Sequence, residues 1–141
     1  MITFIMRHFL FIIIITLLFT NCNSPKADQY VESGRNKILN GQFKKAITDL
    51  DKAISIDSQN AEAYFLRGTA RHNLRNINSA IEDYTISISL DSENPEVFYN
   101  RGSARFFLGD RDGACADWIM ADALGKPNIK DKIKGCKPLT H

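Results

Sequence analysis

Residues 63–71 read AYFLRGTAR, and residues 97–105 read VFYNRGSAR. The two stretches lie 34 residues apart, and in both an aromatic pair precedes an Arg-Gly pair, a small hydroxyl residue and Ala-Arg. A weaker copy at 30–37, YVESGRNK, keeps an aromatic residue and the glycine at the same interval. Self-similarity at a fixed period indicates a repeat architecture, in which each unit buries its apolar face against the next one.

A 34-residue frame that starts at Ala27 fits three copies without insertion or deletion, at 27–60, 61–94 and 95–128. Several positions of this frame are chemically uniform. The fourth is aromatic, the eighth glycine, the twentieth alanine, the twenty-third aspartate and the twenty-fourth large: Tyr30, Tyr64, Phe98; Gly34, Gly68, Gly102; Ala46, Ala80, Ala114; Asp49, Asp83, Asp117; Leu50, Tyr84, Trp118. Spacings of three and four put these residues on facing sides of two helices. Since glycine inside a helix costs about 1 kcal/mol relative to alanine, we expect close helix contact at each glycine.

The frame predicts two helices in every repeat. Their expected spans are 28–40, 43–56, 61–74, 78–90, 95–108 and 112–123. Turn-forming pairs such as Asn40-Gly41 and Gly109-Asp110 separate the paired helices. Residues 86–90, ISISL, alternate like a strand, but the equivalent stretch 52–56, KAISI, favours a helix because the repeat must place both alike.

The period and the glycine, alanine and aromatic positions resemble the signature of the tetratricopeptide repeat. The resemblance covers residues 27–128. It implies an all-α fold, namely a right-handed superhelix of three helix pairs with a short C-terminal capping helix. One departure is position seven, where the family usually has leucine and this chain has Ser33, Arg67 and Arg101.

Residues 129–141 are expected to form the capping helix and a tail. A stacked array leaves an apolar face open at its end, which a polar terminal helix usually covers. Ile129 and Ile133 are four residues apart and are expected to face inward. We expect this helix near 128–135, ended by Gly135 and Pro138.

The paired arginines of the opening stretches have two interpretations. As an anion clamp, Arg67 with Arg71 and Arg101 with Arg105 would bind carboxylate or phosphate. Alternatively they brace the helix pair against the aspartate at position twenty-three. We favour the second interpretation, with Arg67 pairing with Asp83 and Arg101 with Asp117, although the first repeat lacks this arginine.

The resemblance also implies a protein or peptide partner, held in a concave groove lined by the first helix of each repeat. The expected groove residues are Arg35, Phe65, Thr69, His72, Tyr99, Ser103 and Phe106. Some family members bind a C-terminal carboxylate through Lys, Asn and Arg at positions five and nine. Only Arg35 is of that type here, so we expect an apolar, aromatic groove suited to a helical or extended segment. Of the first-helix residues, Leu39 and Phe107 are those we most expect in the core.

The N-terminal residues have the character of an export signal. Arg7 and His8 precede an apolar run at 9–19, FLFIIIITLLF, whose eleven residues span only about 16 Å as a helix. A bilayer core is about 30 Å thick, so residues 1–21 are interpreted as a signal peptide rather than a membrane span. An uncleaved anchor formed by residues 2–20 is the alternative.

Cys22 follows this run in the stretch LLFTNCNS and resembles the lipidated cysteine of bacterial lipoproteins. Asn21 and Phe19 depart from the usual residues of that motif. Lipidation of Cys22 would hold the chain at a membrane, with residues 22–26 as a tether. The resemblance implies an exported, membrane-anchored protein, most often facing the periplasm.

Two further cysteines, Cys115 and Cys136, are compatible with a disulfide in an oxidising compartment or with two buried thiols. Without residues 1–21 the chain has 17 of its 18 basic residues and all 16 acidic ones, which gives no reason to expect nucleic-acid binding. It contains no familiar catalytic, metal-binding or phosphate-binding motif. We therefore expect a non-enzymatic binding protein without cofactor, metal or small-molecule substrate; the alternative is a structural subunit or assembly factor of a cell-envelope complex.

Overall fold

The computed structural model describes residues 25–136, and every regular element among them is an α-helix. The predicted signal peptide, Cys22 and the tail after Cys136 lie outside these residues. The helices are α1 (Pro25–Leu39), α2 (Phe43–Ile56), α3 (Ala61–Asn73), α4 (Ile77–Leu90), α5 (Pro95–Phe107), α6 (Arg111–Ala123) and α7 (Lys130–Ile133). The all-α prediction is confirmed, and the stretch 86–90 is helical.

Polar side chains at the starts of α3 and α5 explain the boundaries between repeats. The Asn60 side chain accepts a hydrogen bond from the Ala63 N–H at 2.9 Å, and the Asn94 side chain accepts one from the Glu96 N–H at 3.0 Å. Both asparagines occupy position thirty-four of the frame. Such N-caps satisfy backbone donors that have no partner inside the helix, so each new repeat begins at a defined residue.

The helices form three antiparallel pairs, α1 with α2, α3 with α4 and α5 with α6. Each pair is in contact at its glycine. A Cβ atom would lie 2.7 Å from the Leu50 Cγ at Gly34, 2.8 Å from the Tyr84 Cε1 at Gly68 and 2.7 Å from the Trp118 Nε1 at Gly102. These distances are shorter than a carbon atom tolerates, so the predicted contact at every glycine is confirmed.

The pairs stack in chain order, with α2 on α3 and α4 on α5. Their buried apolar residues form three clusters joined by shared side chains. Phe65 packs against the first and second clusters, and Ile88 packs against the second and third. The first helices α1, α3 and α5 also contact one another in sequence, so together they form one side of the array.

The capping helix α7 is a single turn, shorter than the predicted 128–135. Asn128 has φ of 58°, a left-handed conformation that prevents an α-helix from starting there. Ile129 is nevertheless 1% exposed and packs with Ile133 and Cys136 on the third cluster. Cys115 and Cys136 form a disulfide, with Cα atoms 5.4 Å apart, which joins α6 to the residues after α7.

Within residues 25–136, none of the helices combines the length and the apolarity that crossing a bilayer requires.

Candidate functional site

The predicted groove residues lie on three adjacent helices. Arg35 is on α1, Phe65, Thr69 and His72 are on α3, and the others are on α5: Tyr99, Ser103 and Phe106. Because α1 contacts α3 and α3 contacts α5, these side chains belong to neighbouring helices on one side of the array. Phe106 is exposed, and the other six are half-buried.

Two aromatic residues of the groove have different surroundings. Phe65 packs beside Tyr84, with ring centroids 6.2 Å apart, and contributes to two core clusters. Phe106 is 52% exposed and rests on Trp118, with ring centroids 5.5 Å apart. Phe65 therefore supports the repeat stack as well as the surface, whereas Phe106 offers a large apolar face to a ligand.

Thr69 and Ser103 occupy the same position in successive repeats. Their hydroxyls donate to the Phe65 and Tyr99 carbonyls at 3.0 Å and 2.9 Å, one helical turn earlier. Because each hydroxyl hydrogen is used within its own helix, the oxygen is left as an acceptor. Burial raises the pKa of Tyr84 to about 12, and a hydrogen bond with Thr69 opposes this shift, so the Thr69 oxygen is engaged by the Tyr84 hydroxyl. Ser103 can accept a hydrogen bond from a ligand's N–H group.

Arg35 is bound to acidic neighbours. Its guanidinium donates to Glu62 of the next repeat and to Glu32 of its own helix. The hydrogen bond to Glu62 raises the pKa of Arg35 above its ordinary value. Arg35 thus joins the first two repeats and already has carboxylate partners.

Lysines surround Tyr99 at the C-terminal end of the groove. The Lys126 Nζ lies 4.9 Å from the Tyr99 ring centroid, and the Lys132 Nζ lies 5.3 Å from it. Lys126 also pairs with Glu96 at 2.7 Å. The cap and the preceding turn therefore cover part of Tyr99 and reduce its free surface.

The expectation that Leu39 and Phe107 are core residues is wrong. Leu39 is 78% exposed and Phe107 is 56% exposed. Both occupy position thirteen, the last residue of a first helix, where no following turn of that helix lies over the side chain. With Phe106 and Leu108, which is 49% exposed, Phe107 forms an apolar edge at the end of α5.

The paired arginines brace the helix pairs. Arg67 donates to the two Asp83 carboxylate oxygens at 3.1 Å and 2.7 Å, and Arg101 donates to those of Asp117 at 3.0 Å and 2.7 Å. Burial alone would lower the pKa of Arg67, but hydrogen bonds to Asp83 and Asp51 outweigh it and raise the pKa. The ion-pair interpretation is confirmed for both repeats.

The first repeat retains this arrangement with different residues, which the sequence reasoning missed. The Ser33 hydroxyl donates to the Asp49 carboxylate at 2.6 Å, and Lys37 donates to the same carboxylate. Burial favours a raised pKa for Asp49, but these two hydrogen bonds outweigh it and lower the pKa. The 34-residue repeat frame contained an indication of this pairing, because the first repeat keeps Asp49 and has a cation, Lys37, at position eleven.

Two cavities open near the first helices. One, of about 360 Å³, is lined mainly by Arg35, Glu62, Phe65, Ser87, Asp91 and Asn94. The other, of about 240 Å³, is lined by His72, Asn73 and Arg75. Burial and the nearby charge of Arg75 lower the pKa of His72, so this imidazole is neutral at pH 7. No cluster of His, Cys, Asp and Glu suited to a metal ion occurs in residues 25–136.

Comparison with protein families identifies the repeat. A model described as TPR repeat matches residues 34–74, and one described as Tetratricopeptide repeat matches residues 61–94. No curated protein sequence matches the chain significantly.

Solved structures share the fold. The second TPR of Spaghetti (RPAP3), bound to the HSP90 peptide SRMEEVD, is 28% identical with a TM-score of 0.70, over 72% of this chain and 94% of that one. The second TPR domain of human RPAP3, in complex with the HSP70 peptide SGPTIEEVD, is 28% identical with a TM-score of 0.70, over 77% and 95%. The translocator chaperone SycD of Yersinia enterocolitica is 18% identical with a TM-score of 0.71, over 79% of both chains.

The family matches cover the first two repeat frames in large part, and the same glycine contact and ion pair recur between α5 and α6 of the third. Residues 34–94 therefore match the tetratricopeptide repeat, and the described part of the chain has an all-α fold of antiparallel helix pairs that solved tetratricopeptide structures share.

Proposed function

We propose that this chain is a non-enzymatic binding protein that holds a peptide segment of a partner protein against α1, α3 and α5. The observation that carries this proposal is the exposed ring of Phe106 on α5, the helix that also carries Tyr99, with Phe65 on the adjacent α3. Ser103, on the same helix as Tyr99 and Phe106, adds a hydrogen-bond acceptor. Such a surface suits a helical or extended segment with apolar side chains.

The solved relatives support peptide binding as the general activity, since their structures contain HSP90 and HSP70 peptides. The residues that would bind the terminal carboxylate of such a peptide differ in this chain. Arg35, the one suitable residue at positions five and nine, is bonded to Glu62 and Glu32. We propose that this chain selects its segment by apolar side chains along the groove.

The binding experiment is crosslinking in native membranes, followed by identification of the captured protein. Phe106→Ala should remove most of the captured partner, because it deletes the exposed ring. Met120→Ala is the matched control, since Met120 is a large apolar residue, 42% exposed, on the second helix of the same repeat. Equal capture by wild type and Phe106→Ala would contradict the proposed groove.

The same experiment distinguishes the groove proposal from the alternative that the chain is a structural subunit. A subunit of an envelope complex would be recovered with its partner in fixed stoichiometry. Its partner would contact the second helices of the repeats, where Met120 and Ile86 lie, so substitutions there would remove the partner. Loss of capture on Met120→Ala or Ile86→Ala, with Phe106→Ala unaffected, would therefore replace the groove proposal with the subunit alternative. Ile86 is 39% exposed and occupies the position of Met120 in the preceding repeat.

We further propose that the domain is exported and held by lipid on Cys22, facing the periplasm of a bacterium. This rests on the short apolar run at 9–19 and on the cysteine that follows it. Cys22→Ser should move the protein from the membrane fraction to the soluble fraction. Retention in the membrane would favour an uncleaved anchor at residues 2–20.

A further inference from the structure

The three turns between paired helices share one unusual backbone conformation. Residue fifteen of each repeat has positive φ, 69° at Gly41, 66° at Arg75 and 85° at Gly109. Glycine adopts this left-handed conformation freely, whereas an arginine does so at an energetic cost. The second repeat therefore places an arginine where the fold favours glycine, and the side chain requires an explanation.

Arg75 lies at the edge of the groove, between the second and third repeats. Its guanidinium carbon is 5.3 Å from the centroid of the Phe107 ring, on the next first helix. With His72 and Asn73 it lines the cavity of about 240 Å³. An arginine over an exposed aromatic ring presents its N–H fork next to an apolar surface.

Arg75 also differs from the bracing arginines in its ion pairs. Arg67, Arg71, Arg101 and Arg105 all pair with the aspartate at position twenty-three. Among the ion pairs formed within residues 25–136, none includes Arg75. Its donors are free to meet an anion.

Among the described residues that line this cavity, His72 and Asn73 add donors but no further cation. One N–H of the Asn73 amide is used, since it donates to the Thr69 carbonyl at 2.9 Å, and the second is left. His72 contributes a neutral imidazole. A single positive charge with neutral donors matches the single charge of a carboxylate better than the greater charge of a phosphate.

We propose that the cavity of His72, Asn73 and Arg75 binds a carboxylate of the partner segment, while a neighbouring apolar side chain packs on Phe107. This deepens the proposed peptide-binding function and rests on it. The site is distinct from Arg35, which is on α1 and already bound to carboxylates of the chain itself. A side-chain carboxylate and a C-terminal carboxylate present the same chemistry to this cavity.

Small probes test the site directly. The full-length chain in mild detergent is titrated, by NMR, with N-acetylphenylalanine and with its uncharged amide. We expect the carboxylate to bind at least tenfold more tightly and to shift the signals of His72, Asn73 and Arg75. Equal binding of these two probes would exclude a chain terminus as the ligand, and shifts confined to other residues would overturn the proposal.

A second pair of probes distinguishes the source of the carboxylate. N-acetyl-phenylalanyl-glutamate α-amide carries the charge on a side chain, and its glutamine counterpart does not. A glutamate preference of tenfold or more, with little preference for free N-acetylphenylalanine, assigns the site to an acidic side chain. The reverse assigns it to a chain terminus, and the absence of both preferences contradicts the site.

Variants separate binding from folding. Arg75→Gly restores the residue that the turn favours, so the melting temperature should not fall, while the preference for carboxylate should disappear. Arg111→Gln, at an exposed arginine that begins α6, should keep the preference. A preference that survives in Arg75→Gly would overturn the assignment to Arg75.

Partner capture distinguishes this site from the groove itself. If Phe106→Ala abolishes crosslinking and Arg75→Gln reduces it tenfold or more, both proposals are supported. If Arg75→Gln has no effect while Phe106→Ala does, the groove stands and the carboxylate site is wrong. If neither variant affects capture, both the groove proposal and the binding of a partner carboxylate at Arg75 are contradicted.

Discussion

At the scale of single residues, the glycine at position eight determines how closely paired helices approach. Gly68 is buried under the Tyr84 ring, and Gly102 lies under the Trp118 indole. These rings are rigid, and the twentieth residue's carbonyl oxygen also lies close, 3.2 Å from a Cβ at Gly68 and 3.1 Å from one at Gly102. A side chain at either position therefore has to push the second helix away.

Gly68→Leu is expected to destabilise the chain by about 3 kcal/mol or more, at the upper end of overpacked cores. The measurement is chemical denaturation followed by circular dichroism. Gly135→Leu is the matched control, because a Cβ there meets no atom within 4 Å and its φ is not in the left-handed region. If the two variants melt alike, the steric account of the glycine position is wrong.

Arg75 has a left-handed backbone conformation that residues with a side chain disfavour. Its φ of 66° belongs to the conformation that the other two repeats reserve for glycine. We expect Arg75→Gly to raise the free energy of unfolding by about 1 kcal/mol, since it removes a left-handed non-glycine residue. Gly109→Ala, the reverse change in the third repeat, should lower it by a similar amount; a loss of stability in Arg75→Gly would contradict this.

The sequence revealed the glycine positions but not this conformation of Arg75. A glycine that recurs every 34 residues in a helical stretch predicts close packing on physical grounds alone. An arginine at position fifteen gives no such indication, because the type of side chain does not determine the φ angle of its residue. The contacts of Ser33 and Lys37 with Asp49 were not predicted, because the sequence shows a cation at position eleven but not which carboxylate it meets.

At the scale of elements, buried aspartates join the two helices of each repeat. Asp83 is 1% exposed and pairs with Arg67 at 2.7 Å and Arg71 at 2.9 Å, both on α3. Removing one partner of a buried ion pair leaves the others without compensation. Loss of Asp83 is thus expected to lower the free energy of unfolding, because Arg67 and Arg71 would remain without this carboxylate.

Asp83→Ala should destabilise the chain by about 3–5 kcal/mol, because two half-buried arginines lose their acceptor. Asp51→Ala is the control: this carboxylate also pairs with Arg67, at 2.7 Å, but it is 52% exposed. Its loss should cost below about 1 kcal/mol. Comparable losses in the two variants, measured by urea denaturation, would argue against a bracing role for the buried position.

The helix spans were predictable to within about three residues, and the errors have local causes. Helix α1 begins at Pro25, before the repeat frame, and α7 is limited to residues 130–133 by the left-handed Asn128. Leu39 and Phe107 were assigned to the core because they are large and apolar. Their place at the last residue of a first helix leaves them exposed, and apolar character alone does not indicate that place.

At the scale of the whole molecule, stacking creates surfaces that no single repeat contains. The predicted groove positions came from the family resemblance, and the structure places them on first helices that contact one another. The cavity at Arg75 did not come from it, since it needs a turn of the second repeat to meet α5 of the third. Contacts between repeats depend on the angle of stacking, which the 34-residue period does not specify.

The end of the stack depends on one covalent link. Ile129 covers the third apolar cluster, yet the helix that follows it has only four residues and cannot be stable alone. The disulfide between Cys115 and Cys136, 21 residues apart, holds this segment in place. We expect its loss to weaken the packing of Ile129 and Ile133 that covers the apolar end of the third repeat.

Loss of this disulfide should destabilise the chain by about 3 kcal/mol, the loop-closure entropy of a loop of that length. The measurement compares thermal unfolding of the wild type with and without a reducing agent. Cys136→Ser should match the reduced wild type and respond no further to reduction, because no bond between these two positions remains. A wild type whose melting temperature is unchanged by reduction would show that the packing of Ile129 and Ile133 alone holds the cap.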